Sequence, residues 1–493
     1  MTTSPPTPAD PRAALRRGVY LLLIALAVGD ITGRLWAVNS VDTVRLEKHL
    51  NDAARKQAPP GGEPKLRSLQ RPFLSGNDRS RWCTVRALVE HGTYAIDDVV
   101  SQPNWDTIDM VKHDGRGNPA PGPDEGHLYS SKPPLLPTLM AGEYWLLRRL
   151  TGKTLGSHPH ELGRILLFTW NVIPFAGALL ILARIVERYG TTDFGRVFVV
   201  AAAALGTLLS AYAVVFTNHW PAACAALVAL DATLRIVCEG ERRLRWFFIA
   251  GLAAALMAAC ELPALSFCGL VGLLLLWRSP RATLLAALPG AALVVAAALG
   301  TNYAAHGTIR PAYAERHVAG GWYDYQFRRG SRVIDSYWKP TVAKSEVDRG
   351  EPSRAAYAFH VLVGHHGIFS LTPVWLLSLA GLVILLARRD PGPRAVAAAI
   401  LACTIVCLAF YVTRPLEDRN YGGMATGFRW ALWFAPLWLF AMLPAADGLA
   451  GSRFGGIVAA ILLAVSVASA SYPTWNPWTP PWLQVYQEYR AGR

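Results

Sequence analysis

Charge is scarce in this chain. Only 17% of its 493 residues are Asp, Glu, Lys or Arg, while 52% are hydrophobic. A soluble protein of this length carries more charge and fewer long apolar runs. Many runs here approach the roughly 20 residues that cross a bilayer as a helix, so the sequence reads as a polytopic membrane protein. Acids are the scarcer sign, 34 against 48 Lys and Arg, for a net charge of +14. That excess does not point to nucleic acid, because no basic face or binding motif accompanies it. The arginines sit instead in short clusters between apolar runs, where orientation is set. Cysteine is also sparse, seven in all. No CxxC and no metal-ligand spacing occurs among them, so neither a disulfide framework nor a metal cluster is expected, and they read as small core residues.

The apolar runs fall at about 18–37, 165–183, 197–216, 221–238, 246–260, 262–277, 282–304, 368–387, 395–413, 430–449 and 454–472. These are eleven expected spans. The run from Pro134 to Leu147 is too short and too charged to be a twelfth, with Glu143 inside it and Arg148-Arg149 at its end. Charge parity agrees. If 134–147 lies on the surface, the clusters Arg12/Arg16/Arg17, Arg184/Arg188/Arg196, Arg242/Arg243/Arg245, Arg278/Arg281, Arg388/Arg389/Arg394 and Arg453 all fall on one side, the cytoplasmic one. The short turns Thr217–Trp220 and Glu261–Pro263 then lie outside and carry no Lys or Arg.

The resulting layout has a cytoplasmic N-terminus (1–17) and a membrane module over 18–304 that contains a long outer loop, 38–164. A second outer loop (305–367), further spans (368–472) and an outer Trp/Pro-rich tail (473–493) complete it. An uncleaved first helix with Asp30 and Arg34 paired at i,i+4 is expected, and likewise Asp231 with Arg235. The cell (plasma or inner) membrane is the expected location. Chemistry is expected at the outer face, because the cytoplasmic side has only short basic turns.

The polar residues concentrate in 74–147. A helical stretch over 41–58 precedes them, and a helix is expected from Asn77 to Gly92. Along it Asp78, Trp82, Val85 and Val89 share one face, which suggests a helix lying on the membrane with Asp78 at the end of the stripe. The bland alternative for Asp78 is a first-turn acid favoured by the helix dipole. TIDMVKHDGRGN followed by GHLYSSK reads as a β-hairpin that delivers Ser130, Ser131 and Lys132 to a proline-stiffened segment. Lys132 there either neutralises a phosphate or snorkels to the interface. Further on, His219, Glu261, the pair His365-His366 and the run Arg419 to Trp430, with Arg429 at the lip of a span, belong to outer turns. Adjacent histidines rarely hold one ion alone, so hydrogen-bonding roles are expected for that pair.

Asn77-Asp78-Arg79 with Trp82, then Tyr129-Ser130-Ser131-Lys132-Pro133-Pro134-Leu135, resemble the first outer loop of GT-C membrane glycosyltransferases. The likeness is to the branch of protein O-mannosyltransferases and the lipid A aminoarabinose transferase, glycosyltransferase family 39. The resemblance implies an all-α GT-C fold and a polyprenyl-phosphate-linked sugar donor held in the bilayer. It also implies inverting transfer to an acceptor lipid, glycan or protein at the outer face. It places the loop's acid at Asp78, as general base, and its lysine at Lys132, on the lipid phosphate. Arg79, Tyr129, His219, Glu261 and Arg429 complete the candidate substrate-binding set. The turn Asn218-His219-Trp220 lacks the acid that relatives carry, and Glu261 is the candidate replacement. No DxD stands beside Asp78. No cofactor is therefore expected, with a divalent cation left open. The alternative class is a transporter or lipid-linked-sugar flippase, against which stand the lack of a two-fold repeat and the few intramembrane charges. A third is a scaffold that binds partners through its outer loops.

Overall fold

The computed structural model describes residues 11–37, 50–59, 62–64, 73–474 and 476–492. Among them, seven helices are long and apolar enough to cross a membrane, and three shorter apolar helices accompany them, Leu244–Cys260, Leu262–Arg278 and Trp375–Ala387. The short pair meets at the Glu261–Pro263 turn, where proline stops one helix and a 3-10 turn starts the next.

The expected span at 197–216 is the exception. Its helix, Asp193–Leu205, stops before Gly206, and a 3-10 turn at Ser210–Val214 and an extended stretch follow. This buried non-helical backbone needs partners. The Asn171 amide supplies two donors, to Ala213 O (2.7 Å) and Val215 O (3.0 Å). Apolar composition alone conceals such a break.

Two spans form the centre. His219–Val237 and Arg429–Leu449 are each 78% buried over their most apolar window, against 28% for Arg453–Ser471 at the periphery. Helices that are apolar all round pack this way. Ion pairs fasten the ends of the bundle. Arg34 reaches Asp30 at 3.4 Å and donates to Thr474 O (2.7 Å) and Pro473 O (2.9 Å), tying the first helix to the tail. Arg235 reaches Asp231 at 2.9 Å as expected, and Arg188 from another helix shares that carboxylate.

The hairpin pairs β1 (Met110–His113) with β2 (His127–Ser130), antiparallel, Met110 opposite Ser130. A second hairpin, β3 (Gln326–Arg329) with β4 (Arg332–Asp335), lies in the later loop. Lys112 joins the two loops, its ammonium donating to Gly122 O (2.5 Å) and Gln326 O (2.9 Å). The 134–147 region forms the helix Leu135–Thr151, capped by Gly152 at φ +69°. It buries Leu136, Met140 and Tyr144 and leaves Leu139, Trp145, Leu146 and Leu150 exposed, so both its packed and its exposed face carry large apolar side chains. The stretch expected at 41–58 lies partly outside the described residues; 50–57 is helical.

The Gly76–Glu90 helix departs from expectation. It begins where foreseen, with the Ser75 hydroxyl accepting from Asp78 N at 3.1 Å. It does not lie on a surface, because every residue from Asp78 to Ala87 is buried. Its polar face is met largely by protein, although Arg86 Nη1 is buried without a hydrogen-bond partner among the described residues. Arg79 donates to Asp106 O (2.8 Å) and Phe73 O (2.5 Å), and Arg86 to Glu90 (2.9 Å) and Gln102 (2.7 Å). Periodicity located the stripe, but backbone carbonyls from neighbouring loops took the place of water on the other side.

Candidate active site

A cavity of about 450 Å³ lies where the Gly76–Glu90 helix, the Ser131–Pro133 segment, the 218–219 turn, the 260–263 turn and the loops at 313–323 and 410–430 converge. Four of the expected residues line it, Lys132, His219, Glu261 and Arg429. Three do not. Arg79 is committed to backbone carbonyls, as above. Tyr129 points into the hairpin packing, its ring stacked on His113 at 4.0 Å. Asp78 sits one layer behind the wall formed by its neighbours Asn77 and Arg81.

Asp78 is 2% exposed. Its Oδ1 accepts from the Trp82 indole (2.9 Å) and from the Phe216 backbone N–H (3.0 Å). Burial pushes its pKa up to about 7, while the Phe216 amide, Arg81, Arg79 and Trp82 pull it back. The geometry makes Asp78 the clamp that holds the broken 206–216 segment in place, and with it the turn that presents Asn218 and His219. A base acting on a substrate in the cavity must reach it, and this carboxylate is placed behind the wall.

The carboxylates that do border the cavity are Glu261 and Asp418. His219, at the first turn of its helix, brings Nδ1 to 2.6 Å from Glu261 Oε1, both side chains buried. Among the described residues His219 is the one basic side chain within ion-pair distance of Glu261, and it carries charge only when protonated. Asp418 is more heavily committed. Its Oδ2 receives His317 Nε2 at 2.8 Å and the Arg414 guanidinium, and Arg316 approaches Oδ1 at 3.6 Å.

Positive charge surrounds these acids. Arg81, Lys132, Arg316, Arg414 and Arg429 all line the cavity. Lys132 is paired with the buried Asp109 at 3.0 Å. Burial lowers the lysine to about 8, Asp109 opposes that, and Arg81 and Arg429 add to it. Burial would raise Asp109, but Lys132 outweighs it and holds the carboxyl below its ordinary range. Arg81 is different. Among the described residues its guanidinium donates only to neutral oxygens, Asn218 Oδ1 (3.0 Å), Asn77 O (2.9 Å) and Asn77 Oδ1 (2.7 Å), and burial together with Arg429 lowers its pKa to about 10. Arg429 is buried, stacks on Trp478 at 4.8 Å, and makes no salt bridge among the described residues. Its Nε is buried without a hydrogen-bond partner. Gly422, at φ +96°, gives it room, since a Cβ there would collide with the guanidinium.

Tyr313, Tyr323, Tyr411 and Trp430 supply the flat walls. Sequence reading did not place these aromatics in a site, and it also missed Arg81, Arg414 and Asp418. Arg81 stood three residues from Asp78 on the same helix, but only the packing of that helix turns it inward. Among the described residues, no group of three or more His, Cys, Asp or Glu side chains is placed to hold a metal ion.

Comparison with known proteins adds a likeness at low identity. No family model and no curated protein matches the chain. Solved structures do. The apo oligosaccharyltransferase of Archaeoglobus fulgidus aligns over 96% of this chain and 57% of its own, at 13% identity and a TM-score of 0.45. The archaeal oligosaccharyltransferase AglB from the same organism, in complex with an inhibitory peptide and a dolichol-phosphate, aligns over 95% and 57%, at 12% identity and 0.45. A form tethered to an acceptor peptide with an NVT sequon gives 95% and 56%, 14% and 0.46. This chain spans little more than half the length of those it resembles.

Proposed function

We propose that the protein is a membrane glycosyltransferase that moves a sugar from a lipid-linked phosphate donor to an acceptor hydroxyl or amine. The observation that carries this reading is the pair of buried guanidiniums, Arg81 and Arg429, with no carboxylate at ion-pair distance among the described residues, in a cavity that also holds a carboxylate–histidine pair. An unpaired buried charge costs several kcal/mol, and a bound phosphate would offset it. Arginine suits phosphate through its planar fork. The motifs that resemble the GT-C first loop supply the donor class, a polyprenyl phosphate.

In the proposed reaction the acceptor O–H or N–H meets Glu261, oriented by His219. The acceptor atom attacks the anomeric carbon, its proton passes to Glu261, and the bond from that carbon to the phosphate oxygen breaks. The phosphate leaves with the electron pair on its lipid and is stabilised by Arg81 and Arg429, with Lys132 beside them. One displacement inverts the anomeric centre. The aromatic walls hold the sugar ring. Charge preorganised in a dry site acts most strongly on a leaving phosphate. The active face is the outer one, in keeping with the arginine clusters at the other ends of the helices.

Extraction of the purified protein followed by mass spectrometry tests the donor class, and a polyprenyl-phosphate sugar is the expected ligand. Transfer assays in proteoliposomes test the reaction. Glu261→Gln should lower turnover by about 10²–10⁴-fold while the donor still binds. Asp78→Asn, which keeps the Oδ1 acceptor, should retain most activity. Wild-type turnover in Glu261→Gln with loss in Asp78→Asn would return the base role to Asp78.

A further inference from the structure

At the other end of the bundle a second cavity, about 540 Å³, opens between the first helix, the helix Ile173–Tyr189 and the end of the helix His219–Val237. His219 and Arg235 are sixteen residues apart on the last of these, so the two cavities are separated by about 24 Å at 1.5 Å per residue. The walls are of two kinds. Leu21, Leu180 and Ala183 form an apolar slot, and Leu21 and Leu180 are exposed on the flank of helices that cross a membrane.

The slot is rimmed by Arg17, Arg184, Arg188 and Arg235. The acids nearby are already engaged. Glu187 receives Arg16 through both oxygens (2.9 and 2.8 Å) and the Tyr20 hydroxyl (2.7 Å). Asp231 is shared by Arg188 and Arg235, and Glu239 takes Arg188 at 2.6 Å. Arg17 and Arg184 remain exposed, with no carboxylate at ion-pair distance among the described residues. Two uncommitted guanidiniums over an apolar slot that opens sideways match one ligand chemistry, a phosphodiester on a hydrophobic chain.

We infer that this crevice binds one anionic glycerophospholipid, its phosphate on Arg17 and Arg184 and an acyl chain along Leu21 and Leu180. The site is separate from the transfer cavity and does not depend on the reaction proposed there. Its occupant is a resident lipid and not a substrate. Binding would brace the first helix against its neighbours, at the end where Arg16 ties it to Glu187 and Asp193.

Native mass spectrometry of the detergent-purified full chain, titrated with phosphatidylglycerol or phosphatidylcholine, tests the site. The wild type is expected to retain one phosphatidylglycerol at least tenfold more tightly than phosphatidylcholine. Arg17→Gln/Arg184→Gln should abolish that preference. Leu180→Trp, which fills the slot and keeps both charges, should lower occupancy by either lipid and guards against misfolding of the double variant. Equal retention of the two lipids by the wild type, or an unchanged preference in the double variant, overturns the inference. So does displacement of the lipid by millimolar inorganic phosphate, which would mark a site for the free anion.

Discussion

Asp78 and Glu261 differ in access to the cavity, and the proposed reaction gives them different tasks on that ground. Asp78 accepts two N–H groups and faces protein, and Glu261 borders the cavity beside His219. The raised pKa of Asp78 has a consequence for stability with a definite sign. An acid whose pKa goes from 3.8 unfolded to about 7 folded binds its proton more tightly in the native state. That contribution is complete below the unfolded value and is lost as pH rises through about 7. The melting temperature of the wild type relative to Asp78→Asn should therefore fall between about pH 4 and 7 and level off above. Differential scanning fluorimetry across that range reads it, and a parallel pair of curves would contradict the buried-acid assignment. Arg429 yields a second residue-scale expectation. Arg429→Ala should weaken donor binding by about 1.5–3 kcal/mol, the worth of charge-assisted hydrogen bonds, as measured by titration with lipid-linked sugar. Folding should be little affected or improved, because the substitution removes an unpaired buried charge.

At the scale of elements, the 419–430 run matters through one glycine. Gly422 combines a left-handed φ of +96° with contact against Arg429. Gly422→Ala should cost about 1–3 kcal/mol in backbone strain and should also lower donor affinity by shifting Arg429, a joint effect that few loop substitutions have. The Lys132–Asp109 pair gives a contrasting test between hairpin and cavity. Lys132→Met alone should destabilise by about 3–5 kcal/mol because it strands Asp109, and Lys132→Met/Asp109→Leu should recover most of that loss. Chemical denaturation of the variants decides it. The hairpin and the proline-led helix at Leu135 were legible because turn residues and helix-start prolines are local signals, whereas the register emerged only with the fold. The break after Leu205 was not, because nothing local distinguishes a buried extended segment from the rest of an apolar run. What holds it is Asn171 and Asp78, both distant in sequence.

Over the whole molecule, the tail packs behind one of the residues that line the cavity. Trp478 stacks on Arg429, Pro477 O accepts from Thr426 N at 3.1 Å, and Arg34 of the first helix holds Pro473 and Thr474. The two ends of the chain are thus fastened together beside the cavity. Arg34→Ala should lower stability by about 1–3 kcal/mol by leaving the buried Pro473 carbonyl without its donor, and should weaken donor binding through the displaced tail. An unchanged melting temperature would show that the tail is held by its own packing. The seven long and three short apolar helices, with the one broken helix, account for the eleven apolar runs.

Composition, the length of the apolar runs and the spacing of arginines were enough to determine a polytopic helical chain with its polar chemistry in the loops between helices, because hydrophobic length and cluster position are properties of contiguous residues. They also marked Lys132, His219, Glu261 and Arg429, since polar residues at the edges of apolar runs are conspicuous in any order. Tertiary structure alone decided which of the marked residues share a cavity. It turned Arg81 inward and Asp78 toward Phe216, joined His219 to Glu261 across 42 positions, and brought Arg316 of one loop against Arg414 and Asp418 of another. Those choices depend on how a buried charge finds a partner through space, and a partner's distance along the chain does not reveal its distance in the fold.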